Sequence, residues 1–183
     1  EAGITDIGEN YVQEAENMRQ ALGSVAENLR WHMIGHLQKN KINKALGLFD
    51  VIQTVDSFKL AEGLNKRLQH PLDVLIEVNS GREAQKSGVF PEEVEVLARQ
   101  VASLKKISVK GLMTMGPRFG DPEEARPYFT ETRRLFEQLR SLQIPGVHMD
   151  VLSMGMSNAY RVAVEEGSTM IRLGTVLFGE REP

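Results

Sequence analysis

Two hydroxyls and a glycine fall within Leu152-Ser153-Met154-Gly155-Met156-Ser157, where an apolar run gives way to helical spacing. A strand that leaves through Gly155 and a helix that begins at Ser157 set a hydroxyl beside backbone amides with no helical partner. Those amides and the helix dipole both favour an anion. Downstream, Arg172-Leu173-Gly174-Thr175 lies on the last apolar run, where Gly174 lets backbone N–H groups approach a ligand and Thr175 adds a hydroxyl. Each has a plain structural reading too: Ser157 caps its own helix, and Gly174 relieves crowding. Together, in this order at the ends of the last strands, they point to phosphate. Arg172 alternates with Leu173, so a Leu173 packed outward turns Arg172 inward, where a buried guanidinium needs a partner. A carboxylate such as Glu77 would serve, as would a ligand ring or anion.

Other candidates carry less. His32 and His36 both lie in the run Trp31 to His36, which reads as a strand, so about 13 Å separates their side chains and one metal ion cannot bridge them. His70 and His148 sit at turns without ligand spacing. Lys39, Lys41 and Lys44 mark a solvated helix face, and Lys86 in Lys86-Ser87-Gly88 is a loop lysine within reach of a barrel mouth. Glu9 and Glu77 come nearest to an acid/base pair, and hydrolase, zinc-protease, P-loop and dinucleotide signatures are absent. No residue is assigned to catalysis or to a metal.

The elements that would position these groups alternate along the chain. Strands are expected at residues 4–7, 31–35, 49–55, 72–79, 107–115, 149–154 and 170–178. Helical stripes lie between them: Tyr11, Val12, Ala15, Met18 and Leu22; Leu60, Ala61, Leu64 and Leu68, opened by Asp56 or Ser57 as cap; Val94, Leu97, Val101 and Leu104; and Phe129, Leu135, Phe136, Leu139 and Leu142. Such alternation requires parallel strands with right-handed crossovers, in an open doubly wound sheet or a closed barrel. The barrel fits better, because Glu9, Asn10, Gly35, His36, Asp56, Ser57, Asn79, Thr114, Ser153, Gly174 and Thr175 finish or follow strands, where a barrel has its mouth. Seven strands are one short of the usual eight.

With 183 residues, 41% of them hydrophobic, the chain suits a single domain spanning 1–183. A net charge of −3 without a basic stripe argues against nucleic acid, and no apolar run reaches the ~20 residues of a membrane span. The absence of cysteine removes disulfides and thiolate chemistry and is compatible with a reducing cytoplasm.

The ordered runs Gly8 to Glu14, Trp31 to Lys41, Lys86-Ser87-Gly88, Gly111 to Met115, Leu152 to Ser157 and Gly167 to Gly179 closely resemble those of the pyridoxal phosphate homeostasis proteins. The resemblance implies a (β/α)8 TIM-type barrel like the alanine racemase N-terminal domain, with pyridoxal 5'-phosphate (PLP) at the strand C-termini. By position, Asn10 would lie near the cofactor ring, Arg172 would approach the pyridine nitrogen, and Ser153, Gly155, Ser157, Gly174 and Thr175 would belong to the cofactor site, with Ser157, Gly174 and Thr175 on the phosphate. An arginine at that nitrogen disfavours its protonation and weakens the ring as an electron sink. The implied role is cytoplasmic vitamin B6 homeostasis, in which PLP is bound, buffered and passed to apo PLP-dependent enzymes by a monomer or weak dimer without turnover. The alternatives are a PLP-dependent amino-acid racemase and a barrel enzyme acting on a sugar phosphate. The chain departs from the family twice. The Schiff-base lysine would lie upstream of Gly8-Glu9-Asn10, on a first strand expected to be missing from this chain; if the molecule starts at Glu1, PLP is expected to be held weakly and non-covalently, and if upstream residues exist, ordinary aldimine formation is expected; and Ala159, after Asn158, stands where the family usually has Asp. Asn158 is expected to compensate in part for that carboxylate.

Overall fold

The computed structural model describes residues 3–116 and 120–179. Its strands are β1 (Asp6–Glu9), β2 (Arg30–Met33), β3 (Val51–Val55), β4 (Leu72–Val78), β5 (Ile107–Thr114), β6 (Val147–Met156) and β7 (Met170–Arg172). They pair in parallel, each with the next in sequence. Helices α1 (Val12–Leu22), α2 (Ile42–Leu46), α3 (Phe58–Asn65), α4 (Val94–Ala102), α5 (Arg126–Ser141), α6 (Tyr160–Glu165) and α7 (Thr175–Phe178) intervene or follow.

Alternation along each strand sorts the side chains. Leu72, Val74, Ile76 and Val78 of β4 join the apolar layer under the helices, as do Trp31 and Met33 of β2. Their neighbours Asp73, Leu75, Glu77 and His32 therefore face the other way, into the sheet's concave side. The curl is measured by contacts between distant strands. In a flat sheet β3 and β6 would be about 14 Å apart. Instead the Gln53 amide on β3 lies 2.7 Å from the Ser153 hydroxyl on β6 and 3.2 Å from the Met170 sulfur on β7. The sheet is thus a barrel, one strand short of eight, with β1 and β7 unpaired with each other among the described residues.

The helical stripes of α3, α4 and α5 bury as expected, through Leu60, Ala61 and Leu64, through Val94, Leu97 and Val101, and through Phe129, Leu135, Phe136 and Leu139. Other expectations need correction. Tyr11 and Met18 are exposed, which leaves Val12 and Ala15 as the buried residues of α1, and Leu142 is exposed just beyond α5. Ser57 stands at the N-cap of α3 without a side-chain capping bond. The expected strand over 170–178 ends at Arg172; Gly174, with ψ −80°, leaves the extended region, and residues 175–178 wind into α7. A short apolar run such as Val176-Leu177-Phe178 has no periodicity that separates strand from helical turn.

Candidate functional site

The C-terminal ends of β6 and β7 meet at Ser157. Its hydroxyl oxygen accepts from the backbone amides of Gly174, at 3.2 Å, and Val176, at 3.4 Å. Ser157 therefore does not cap its own helix: α6 begins at Tyr160, with Ala159 at the N-cap. The hydroxyl proton has no acceptor among the described residues and is the donor left for an anion, which could also take over the two amides that the hydroxyl oxygen now holds. A Cβ built on Gly174 meets no atom of the described residues within 4 Å, so among them this glycine relieves no crowding and leaves open space at the amide. Thr175 is exposed in the first turn of α7. Gly155 is different: it is buried at φ +93°, and a Cβ there would come 2.5 Å from the Ala163 Cβ, so it serves the close seating of α6.

Arg172 points into the barrel as its alternation requires. Its two terminal nitrogens donate to the Ser153 hydroxyl, at 2.8 Å, to the Thr114 carbonyl, at 2.9 Å, and to the Met115 sulfur, at 3.2 Å. Glu77 forms no ion pair with it among the described residues, and its Oε2 is buried without a hydrogen-bond partner. Burial first, then the nearby Asp56 charge, push the Glu77 carboxyl up to about 7, with Arg172 opposing. Burial likewise lowers the Arg172 guanidinium to about 10, against the pull of Glu77, and leaves it charged at neutral pH.

Ser153 is wholly buried and touches Arg172 from within the barrel; it does not line the mouth beside Ser157. Its hydroxyl donates to Gln53 Oε1, Gln53 Nε2 lies 2.9 Å from His32 Nδ1, and His32 Nε2 lies 2.9 Å from Asp6 Oδ1. Burial lowers the His32 pKa more than Asp6 raises it, so the ring is neutral at pH 7. Sequence reasoning missed Gln53. Its signal was present, since Val51-Ile52-Gln53-Thr54-Val55 places an amide in an otherwise apolar strand, and a buried amide implies a specific partner.

Asn10 follows β1, half-buried, with its carbonyl pressed so close to Gly35 that a Cβ there would lie 2.2 Å from it. Its side chain makes no hydrogen bond among the described residues. Lys86 is engaged on its own loop, donating to Glu83 at 2.6 Å, while the Asn79 side chain ties that loop together through Glu83 and Lys86. Asn158 donates to the Gly120 carbonyl, at 3.2 Å, and does not replace the missing carboxylate at the start of α6.

Residues 1–182 match the family described as alanine racemase, N-terminal domain. The chain is 40% identical over 185 residues to the pyridoxal phosphate homeostasis protein of Pasteurella multocida, covering 100% of this chain and 79% of that one. Its identity to the protein of that name from Aquifex aeolicus is 42% over 183 residues, covering 98% and 78%. Among solved structures it is similar to PipY of Synechococcus elongatus with PLP bound, at TM-score 0.85 and 35% identity over 97% of this chain and 83% of that one. Alanine racemase from Corynebacterium glutamicum shares the fold, at TM-score 0.74 and 18% identity over 96% of this chain and 48% of the enzyme.

Proposed function

The chain belongs to the pyridoxal phosphate homeostasis family, built on the alanine racemase N-terminal domain, and on that premise we propose that its barrel mouth binds PLP, buffers it and delivers it to apo PLP-dependent enzymes without turnover. The observation that carries this reading is the pairing, at adjacent strand ends, of an anion cradle with an inward arginine. Ser157 and the amides of Gly174 and Val176 form the cradle, beside Arg172 on β7. PLP presents a phosphate and a pyridine nitrogen, and the open space at Gly174 would admit the phosphate. Arg172 is the group for the nitrogen, with Asn10 toward the ring and Thr175 adding a hydroxyl near the phosphate. When bound, PLP supplies an aldehyde and an electron-accepting ring. A guanidinium that stays charged would disfavour protonation of the pyridine nitrogen of bound PLP, which suits storage better than carbanion chemistry.

Among the described residues no helix is long and apolar enough to cross a membrane. The setting we propose is the cytoplasm, with the protein acting as a monomer or weak dimer. A second reading, PLP-dependent racemisation of an amino acid, draws on Glu77, whose carboxyl at about 7 is poised for proton exchange near neutral pH.

The deciding experiment is calorimetric titration with PLP, coupled to a chiral assay for D-alanine formed from L-alanine. Saturable binding, weakened at least about tenfold by Arg172→Ala as loss of a charged hydrogen-bond donor implies, with no D-alanine, is the expected result. No saturable binding overturns the reading, and sustained D-alanine formation replaces it with the racemase.

A further inference from the structure

Gln53 lies deep in the barrel, 1% exposed, and bonds to groups on opposite walls. The proton positions along its chain of contacts are set by elimination. Ser153 Oγ accepts from Arg172, so its own proton goes to Gln53 Oε1. With the amide oxygen so used, the amide nitrogen faces His32 Nδ1, which must accept. His32 then carries its proton on Nε2, directed at Asp6 Oδ1. Each donor thus meets an acceptor in one direction from Arg172 to Asp6. A reversed Gln53 amide would strip the Ser153 proton of its acceptor and set two lone pairs against each other at His32.

We propose that Gln53 is a positioning residue for Arg172: through Ser153 it holds the guanidinium at the mouth, while His32, anchored on Asp6, dictates which way the Gln53 amide faces. The proposal rests on the mouth being a PLP site and assigns its arginine a support drawn from β1, β2 and β3, across the barrel from β7. Gln53 acts through Ser153 and not on the ligand.

Two variants test it. Gln53→Leu removes the acceptor of Ser153, so PLP affinity falls about tenfold while competition by inorganic phosphate changes by less than about twofold, because the Ser157 cradle is outside the chain of bonds. Gln53→Glu keeps that acceptor but faces His32 Nδ1 with oxygen, so one more proton must lie between them, and the imidazole, the stronger base, draws it onto the ring. Its PLP affinity stays within about twofold of wild type, and the His32 titration, followed by 15N NMR, moves upward. The charged groups around His32 are Asp6 on β1, Arg30 on its own strand, Asp50 ahead of β3 and, lining the same cavity, Asp73 on β4, Lys110 on β5 and Asp150 on β6, and both variants leave them in place. A Gln53→Leu protein that binds PLP like wild type, or loses PLP and phosphate equally, overturns the proposal. If that variant does not fold, Gln53→Glu decides: an unmoved His32 titration, or PLP affinity lost with the shift, overturns it as well. Wild-type protein that binds no PLP overturns the functional reading instead, while the His32 tautomer, read by NMR without ligand, still tests the chain of bonds.

Discussion

At Gly174 the demands of packing and of ligand binding separate. No atom of the described residues stands within 4 Å of where its Cβ would be, and the position is exposed. Gly174→Ala should therefore leave stability within about 0.5 kcal/mol of wild type, since surface changes of this kind rarely do more, while the added methyl lowers PLP affinity at least about tenfold. Urea unfolding and calorimetric titration on the same sample check both halves, and unchanged affinity would remove Gly174 from the site. Gly155, with a Cβ clash against Ala163, would answer the same substitution through folding. The two glycines look alike in sequence, and what stands beside each tells them apart.

Helix α6, near the site, is short and lacks a side-chain cap. It spans Tyr160–Glu165 and starts at Ala159, which has no side-chain acceptor for the first amides, while Asn158 points to Gly120. Ala159→Asp supplies that acceptor and a negative charge at the positive end of the helix, and should add about 1 kcal/mol to stability. Thermal unfolding measures it, with an expected rise of about 2–4 °C for a chain of this size. A lowered Tm would show that the buried surroundings of Ala159 exclude a carboxylate. The same end of the molecule shows what an element owes to context. Thr175–Phe178 reads as the continuation of a strand, yet after Gly174 the chain turns into α7, whose opening amides are the ones that Ser157 meets.

For the whole molecule, the barrel's concave side is where stability and function compete. Glu77 is 6% exposed with one oxygen unpartnered among the described residues, and its pKa rises from 4.5 to about 7. A carboxyl raised in the folded state binds its proton more tightly there, so its contribution is fully present below 4.5 and is lost as pH rises through about 7. The loss from this one group is about 3 kcal/mol. Glu77→Gln removes it, so the stability of the variant minus that of wild type should grow by about that amount between pH 5 and pH 8 in urea unfolding. A difference independent of pH would mean that Glu77 is solvated. His32, lowered by burial, has the opposite sign and loses its contribution as pH falls through its ordinary value toward its folded one; it is common to both proteins and cancels.

Strand and helix alternation, the helical stripes, the inward turn of Arg172 and the gathering of polar residues at strand ends were all legible in the sequence, because each follows from local periodicity: two along a strand, 3.6 along a helix. The pairing of Ser157 with Gly174 was legible as order along the chain but not as geometry. Whether Ser157 caps α6 or meets the amides of α7 depends on where β6 and β7 end. The partner of Arg172 was beyond local reasoning altogether. Charge complementarity nominated Glu77, while the curl of the sheet brought Ser153, Thr114 and Met115 to the guanidinium and Gln53 to Ser153. Residues 100 positions apart meet there through closure of the barrel, which no window of sequence contains.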